Sequence, residues 1–223
     1  SPPEIVHIRK VSRLALDETI RRLKEAGLDS IPGGGAEILV DRVRRQLARN
    51  KCSADEWLEV MEQAHLQGLR STATMMFGHV ETLSDRIEHM VRLREVQDRT
   101  GGFTAFIGWT YQSSNTKLQG QVPAMAGGHE YLKTLAVSRL MLDNFPHVQG
   151  SWVTQGPKIG QLSWSFGADA LGGTMMEENG VSAAGTSFEM TIEHIEGLIT
   201  DAGYVPSRRT TRYELLETAE TTT

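Results

Sequence analysis

Two stretches of the sequence decide the fold: Gly27-Leu-Asp-Ser-Ile-Pro-Gly-Gly-Gly-Ala-Glu-Ile-Leu39 and Gly68-Leu-Arg-Ser-Thr-Ala-Thr-Met-Met-Phe-Gly-His-Val-Glu-Thr82. Each begins with a glycine of the kind that ends a helix, continues through Leu-x-Ser, and reaches a carboxylate, Glu37 or Glu81. The two glycines are 41 positions apart, about the length of one strand–helix unit. Because βα folds place chemistry just beyond the C-terminal ends of strands, both carboxylates are candidate functional residues.

Strand and helix patterns alternate along the chain. The patterns predict helices that begin at the caps Asp17 and Ser84, the latter stopped by Gly101-Gly102, and further helices and strands at these positions: helices 41–48, 54–67, 129–144 and 187–201; strands 28–31, 71–77, 103–111, 147–153 and 170–175. This alternation predicts an α/β fold with a parallel sheet and right-handed crossovers. About five units correspond to the C-terminal portion of a (β/α)₈-type barrel, and an open, doubly wound five-stranded sheet is the alternative.

Composition narrows the class of protein. With 223 residues, 39% hydrophobic and 23% charged, the chain is long enough for one globular domain, predicted over 1–213 with a polar tail at 214–223. A net charge of -5 disfavours nucleic acid as a partner, and no apolar run is long enough to span a membrane. A single cysteine excludes an intrachain disulfide and fits a cytoplasmic location.

Several strand-end motifs allow both a functional and a structural interpretation. The run 32–37 is either a flexible loop or a backbone that approaches a ligand closely, because glycine has no side chain to block it. His79 is either a core or capping residue or a functional one. Trp152, Thr154 and Gln155 suit a polar aromatic ligand, or else belong to a buried tryptophan with satisfied neighbours.

The segment Met175-Met-Glu-Glu-Asn179 contains adjacent carboxylates after an apolar strand pattern. If both were buried they would repel, and one would have a raised pKa suited to a general base. A solvated acidic turn is the alternative. No metal site is predicted from this chain, because its histidines do not have the H-E-x-x-H spacing.

The two opening stretches, together with Leu93-Arg-Glu-Val-Gln-Asp-Arg-Thr-Gly-Gly-Phe-Thr-Ala-Phe-Ile107, resemble the menaquinone and deazaflavin branch of radical S-adenosylmethionine enzymes. Within it, Ser151-Trp-Val-Thr-Gln-Gly156 and Gly173-Thr-Met-Met-Glu-Glu-Asn179 look most like the dehypoxanthine futalosine cyclase group. The resemblance covers about residues 1–213. It implies a (β/α)₈-type barrel with S-adenosylmethionine and a four-iron four-sulfur cluster as cofactors.

The activity implied by the resemblance is a radical cyclisation. Reductive cleavage of S-adenosylmethionine would give a 5′-deoxyadenosyl radical, which would take a hydrogen from the ribose-derived ring of dehypoxanthine futalosine. The resulting substrate radical would attack the benzoate ring. Loss of an electron and a proton gives the spiro product on the route to menaquinone. An electron donor such as flavodoxin or ferredoxin is implied as a partner.

The resemblance also implies roles for particular residues. Cofactor contacts fall on Glu37, Gly78, His79 and Glu81, and the base for the final deprotonation falls on Glu177 or Glu178. The implied substrate contacts are polar or aromatic: Gln112, Asn115, Trp152, Thr154, Gln155 and Asn179.

One departure from this family is the cysteine content. The family holds its cluster with Cys-x-x-x-Cys-x-x-Cys near the N-terminus, whereas this chain has only Cys52. We therefore expect a C-terminal part of a longer enzyme that is inactive alone. The alternatives are a sister enzyme (an aminofutalosine synthase or a deazaflavin-precursor synthase subunit) or a cluster-free nucleoside-binding module.

Overall fold

The sheet is the centre of the fold. The computed structural model of the protein describes residues 1–116, 118, 120, 122, 126–174 and 188–216. These residues form a five-stranded sheet in the order β1 to β5, with the bounds Ser30–Ile31, Arg70–Phe77, Phe103–Thr110, His147–Gly150 and Ala170–Leu171. All neighbouring pairs are parallel, so the C-terminal ends of all five strands lie at one edge. The predicted α/β fold with a parallel sheet is confirmed.

Helices connect the strands. Their bounds are α1 Pro2–Ser12, α2 Leu16–Glu25, α3 Asp41–Leu47, α4 Ala54–Leu66, α5 Leu83–Thr100, α6 Gly128–Met141, α7 Trp152–Gln155, α8 Pro157–Leu162 and α9 Ile192–Asp201, with a 3₁₀ helix at Ser163–Phe166. α5 ends as predicted at Gly101, which has φ 59°, a left-handed conformation that glycine adopts without strain.

Several helix starts differ from the sequence prediction, and the last helix, predicted from 187, begins at Ile192 after the cap Thr191. α1 has no counterpart in the predicted elements, although Pro2 occupies its first turn and the Ser1 hydroxyl donates to Glu4 at 2.7 Å. The cap of α2 is Ala15, not Asp17. The cap of α5 is Thr82, not Ser84, and its hydroxyl accepts the Asp85 N–H at 3.2 Å. The caps of α2 and α5 therefore each lie two residues before the predicted cap.

The fourth predicted strand is shorter than expected. β4 ends at Gly150, because the Ser151 N–H donates to the Tyr131 hydroxyl at 2.7 Å instead of continuing the ladder. Trp152 then begins α7. The residues expected to extend a strand to Val153 therefore turn away from the sheet at its C-terminal edge.

The main core lies between the sheet and the helices. Phe103 and Phe106 on β3 and Val148 on β4 are fully buried there, and Phe103 stacks with Trp57 of α4. Burying an aromatic side chain of this size stabilises a fold by about 2 to 3 kcal/mol. The helices therefore hold the sheet rigidly from one side.

The glycine run after β1 packs against the chain itself. A Cβ on Gly33 would lie 2.7 Å from the Thr72 carbonyl oxygen, and the Gly33 N–H donates to Thr72 Oγ1 at 2.9 Å. A Cβ on Gly35 would lie 2.5 Å from Pro3 Cγ. Glycine is thus required here for close approach to β2 and α1.

The segment 204–216 lies against the other side of the sheet. Arg209 donates to Gln149 Oε1 at 2.8 Å and to the Leu171 carbonyl at 3.3 Å, while Tyr213 stacks on His147. Arg212 lies 3.7 Å from Asp29, just before β1. The segment therefore reaches from β4 and β5 to the start of β1. The predicted boundary between a domain at 1–213 and a tail at 214–223 stays a prediction.

Candidate functional site

The C-terminal edge of the sheet is the candidate functional site. The Glu37 carbonyl accepts the Met76 N–H at 2.9 Å, which joins the loop after β1 to the end of β2. The Phe77 carbonyl accepts the Tyr111 N–H at 2.8 Å, which joins the ends of β2 and β3. Gln155 contacts Thr110, which joins the ends of β3 and β4. Sequence-distant residues thus meet along one edge.

The turn after β2 is closed by Glu81. Its Oε1 accepts the Gly78 N–H at 2.7 Å and its Oε2 accepts the His79 N–H at 2.8 Å. Arg86 of α5 donates to Oε1 at 2.8 Å and to Glu130 of α6 at 2.6 Å. The Glu81 side chain is only 1% exposed. Both carboxylate oxygens are therefore engaged within the chain, and Glu81 fixes the shape of the turn.

The electrostatics of Glu81 follow from these contacts. Burial by itself raises the pKa of this carboxyl group, but hydrogen bonds from His79 and from the Gly78 and His79 backbone outweigh burial and lower the pKa to about 2. Glu81 is consequently ionised at neutral pH. It compensates the buried guanidinium of Arg86, which lies 4.7 Å above the Phe77 ring.

His79 is buried beside this carboxylate. Its Nε2 lies 2.9 Å from the Met76 carbonyl, which can only accept, so Nε2 carries a hydrogen. Nδ1 lies 2.8 Å from the Val80 nitrogen and 2.7 Å from Glu81 Oε2. Nδ1 therefore lies between a backbone N–H group and a carboxylate oxygen. The ring also meets Tyr111 edge-on, with centroids 5.8 Å apart.

Glu37 lies at the same edge in a strained conformation. Its φ is +47°, which non-glycine residues seldom adopt and which is typical of ligand-binding sites. Its carboxylate forms an ion pair with Lys51, the residue that follows α3 and its connecting turn. The role of Glu37 in holding a cofactor stays a prediction, as do those of Gly78, His79 and Glu81.

A cluster of amides and hydroxyls lies at the ends of β3 and β4. The Thr110 hydroxyl accepts from Gln155 Nε2 at 2.5 Å and from Gln112 Nε2 at 3.1 Å. Thr154 Oγ1 lies 3.3 Å from Ser151 Oγ. The two predicted glutamines are therefore brought together at Thr110, whereas the Thr154 hydroxyl contacts Ser151. Asn115 lies further along the loop after β3 and is exposed, with φ +58°.

Trp152 is a buried tryptophan whose polar group has a partner within the chain, which is the structural interpretation of this motif. Its indole is 1% exposed, packs with Leu171 and Met190, and donates from Nε1 to the Gly172 carbonyl at 3.0 Å. It therefore joins the loops after β4 and β5. Its predicted role as a substrate contact stays a prediction.

Three predicted residues, Glu177, Glu178 and Asn179, lie outside the described residues, and their roles remain predictions. In the described parts of the chain, no three His, Cys, Asp or Glu side chains are placed to hold a metal ion. Cys52 is buried, and its Sγ lies 3.8 Å from Arg44 Nη2. One buried thiol does not fit the ligand set of an iron–sulfur cluster, which needs several thiolates. Among the described helices, none has the length and apolar character needed to cross a membrane.

Sequence reasoning missed three residues that build this edge: Arg86, Thr110 and Tyr131. Arg86 lies in an amphipathic helix among other charged residues, and nothing in its spacing distinguishes it from a solvated arginine. Thr110 is the polar residue that ends an apolar strand pattern, two positions before Gln112, and this position could have marked it as a candidate site residue. Tyr131 has no signal in the sequence, because its partner Ser151 is set by the packing of α6 on β4.

Parallel strands in chain order, with polar loops at their C-terminal edge, define part of a parallel α/β barrel. Its fold is similar to that of two solved structures. HydG, a maturase of the [FeFe]-hydrogenase, has a TM-score of 0.66 at 17% identity, covering 88% of this chain and 44% of that one. Methylornithine synthase (PylB) has a TM-score of 0.65 at 16% identity, covering 86% and 56%.

Family models identify the particular family. Residues 3–93 match the radical SAM superfamily, whose members use S-adenosylmethionine and an iron–sulfur cluster, and residues 100–222 match the CofH/MqnC C-terminal region. The chain belongs to the CofH/MqnC family. The resemblance recognised in the sequence is thereby confirmed.

Three curated relatives illustrate the range of this family. Cyclic dehypoxanthine futalosine synthase of Streptomyces coelicolor is 49% identical over 213 residues, covering 96% of this chain and 53% of the relative. Aminodeoxyfutalosine synthase of Thermus thermophilus is 44% identical, covering 94% and 58%. A 5-amino-6-(D-ribitylamino)uracil--L-tyrosine 4-hydroxyphenyl transferase of Methanosarcina acetivorans is 42% identical, covering 98% and 60%. The chain thus spans between 53% and 60% of the length of these relatives.

Proposed function

We propose that this chain is the substrate-binding part of a radical S-adenosylmethionine enzyme that converts dehypoxanthine futalosine to its cyclic form in menaquinone biosynthesis. The observation that carries the proposal is the 49% identity to cyclic dehypoxanthine futalosine synthase of Streptomyces coelicolor across 96% of this chain. The relative of the same name from Halalkalibacterium halodurans, 45% identical over 223 residues, supports it.

The described residues support a role in holding a polar ligand. Gln112, Thr154 and Gln155 place amide and hydroxyl groups at the ends of β3 and β4. Such groups suit the hydroxyl-rich sugar portion of a nucleoside-derived substrate. Trp152 packs beside this cluster with Leu171 and Met190 and donates to the Gly172 carbonyl in the loop after β5.

S-adenosylmethionine, when bound, would supply the radical that starts the reaction. The turn at Gly78 and His79 is assigned to cofactor contact on the family resemblance, and Glu81 holds that turn in one shape by accepting both of its backbone N–H groups. Glu81 therefore acts as a positioning residue in this proposal. The cluster does not fit the residues of this chain, whose single cysteine is buried, and no step is assigned to these residues through it.

The final proton transfer needs a base, and we assign it to Glu177 or Glu178. The support is the sequence alone: adjacent carboxylates after a strand, in which repulsion raises the pKa of one. Asn179 and Asn115 are assigned to substrate contact on the same resemblance. A flavodoxin or ferredoxin as electron donor, a cytoplasmic location and the absence of nucleic-acid or membrane partners belong to the same set of predictions.

The sister activity is the second candidate, since the Thermus thermophilus aminodeoxyfutalosine synthase is 44% identical. A hybrid separates the two. In it, residues 1–223 replace the matched region of the Streptomyces coelicolor relative, which supplies the rest of the length. The hybrid is reconstituted anaerobically with iron and sulfide, and its products from dehypoxanthine futalosine and from the sister enzymes' substrates are identified by mass spectrometry.

We expect the hybrid to form the cyclic product and to leave the sister substrates unchanged. The chain by itself serves as the control and should not cleave S-adenosylmethionine, because it has one cysteine. Conversion of a sister substrate in preference to dehypoxanthine futalosine would show that the proposal is wrong. Binding of a nucleoside by the chain without any turnover of the hybrid would favour the cluster-free binding module.

A further inference from the structure

Thr110 connects two predicted substrate contacts through one hydroxyl group. It is the last residue of β3, it is 0% exposed, and it lies at the edge where the strand-end loops meet. Its Oγ1 is 2.5 Å from Gln155 Nε2 and 3.1 Å from Gln112 Nε2. A single buried oxygen thus contacts carboxamides from the loops after β3 and after β4.

In the structure, the nitrogen end of each carboxamide faces Thr110. Gln112 Nε2 also lies 3.2 Å from the Thr110 carbonyl oxygen, which can only accept, so the nitrogen end of Gln112 faces Thr110. Gln155 is partly exposed, and its nitrogen donates to the hydroxyl oxygen. Its Oε1, being the other end of the same planar group, therefore points away from Thr110. A carboxamide oxygen only accepts hydrogen bonds.

We propose that Thr110 is a positioning residue that orients Gln155 so that Gln155 Oε1 accepts a hydrogen bond from a hydroxyl or N–H group of the substrate. The inference rests on the proposed function for the identity of the substrate. The inference adds two points to the proposed function. Thr110, which no sequence motif marks, takes part in binding, and the substrate group that meets Gln155 must be a hydrogen-bond donor. A ligand that offered only acceptors at this position would face the Gln155 oxygen unfavourably.

The kinetic test compares three variants of the hybrid enzyme. Thr110→Val keeps the shape of the side chain and removes the hydroxyl, and Thr110→Ser keeps the hydroxyl. Thr104→Val removes a hydroxyl at the opposite end of β3, where it donates to the Ser71 carbonyl at 3.0 Å. We expect Thr110→Val to raise KM for dehypoxanthine futalosine about tenfold with kcat changed less than about threefold, the loss of one neutral hydrogen bond. Thr110→Ser and Thr104→Val should change KM less than about twofold.

A double-mutant cycle with Gln155→Leu tests whether Thr110 acts through Gln155. The double variant should have the same KM as Gln155→Leu alone, because the group that Thr110 orients is gone. If the two effects on KM multiply, or if Thr110→Val leaves KM unchanged, the inference is overturned. If Thr104→Val raises KM as much as Thr110→Val does, the effect is a general structural one, and the inference is also overturned.

A second measurement is independent of turnover. In the chain itself, the side-chain NH₂ signals of Gln155 are followed by nitrogen–proton correlation NMR. We expect them to shift and to lose protection from solvent exchange in Thr110→Val but not in Thr110→Ser. Unchanged signals in Thr110→Val would refute the positioning role. If the unmodified hybrid does not turn over, the proposed function fails, while the NMR result still decides whether Thr110 orients Gln155.

Discussion

The substitution Glu81→Gln tests the electrostatic core of the candidate site. Glutamine keeps the shape of the side chain but removes the charge that compensates Arg86, and one end of its carboxamide cannot accept the backbone N–H groups. Burial raises the pKa of Glu81, but its interactions with His79 and with the Gly78 and His79 backbone N–H groups outweigh burial and lower the pKa from 4.5 to about 2, which corresponds to about 3 kcal/mol. The side chain is 1% exposed, so solvent does not screen this interaction.

The sign of the pH dependence follows from the lowered pKa. The folded state binds the proton less tightly than the unfolded state, so the stabilisation is fully present above pH 4.5 and is lost as the pH falls through 2. The difference in unfolding free energy between the native protein and Glu81→Gln should therefore be about 3 kcal/mol at pH 7. It should shrink to about 1 kcal/mol at pH 3.

Urea unfolding monitored by circular dichroism measures this difference at both pH values. Glu62→Gln is the matched control: Glu62 pairs with Arg99 at 2.7 Å, but its side chain is 31% exposed, and we expect a loss below about 1 kcal/mol. The reasoning is refuted if Glu81→Gln costs no more than Glu62→Gln at pH 7. It is also refuted if the cost of Glu81→Gln stays constant between pH 7 and pH 3.

Two further predictions concern buried histidines and a glycine that packs on one of them. Burial lowers the pKa of His65 to about 4 and that of His89 to about 3, so both are neutral in the folded protein. The contribution of these neutral histidines to the unfolding free energy should therefore be fully present above pH 6.5 and be lost between pH 6.5 and 4. Urea titrations at pH 7, 6 and 5 would detect this fall. We expect a smaller fall in His65→Gln, and an equal fall would contradict the lowered pKa of His65. A Cβ on Gly102 would lie 2.0 Å from His65 Cγ, whereas Gly101 has open space and φ +59°. Gly102→Ala should thus cost about 3 kcal/mol and Gly101→Ala about 1 kcal/mol in the same assay, and equal costs would show that the ring moves aside freely.

The outline of the fold was predictable because it depends on local patterns. The spacing of apolar residues in 54–67 and 84–99 indicates helices, and the apolar run 71–77 indicates a buried strand; all three are present at nearly these bounds. Boundaries were less accurate where tertiary contacts act. β4 ends at Gly150 because Tyr131, on another element, takes the next backbone N–H.

The candidate site was predictable in part. Glu37 and Glu81 were singled out as carboxylates that follow strand patterns, and Gly78 and His79 were added by the family resemblance. The structure places all four after the C-terminal ends of β1 and β2, and their cofactor role stays a prediction. Their individual contacts were not predictable. Glu81 accepts hydrogen bonds from Arg86 and from two backbone N–H groups. The bond from Arg86 depends on how α5 packs beside the turn.

The sequence by itself determined the α/β class and the family, because apolar periodicity and long local motifs do not depend on distant parts of the chain. The strand order β1 to β5, which separates a barrel portion from a doubly wound sheet, came from the tertiary structure. Only the tertiary structure decided what each polar side chain does. The glycine run after β1 packs against β2 and α1, Trp152 lies in a core, and Thr110 receives two carboxamides. These assignments require knowing which atoms lie within hydrogen-bonding or van der Waals distance across loops, and chain order carries no such distances.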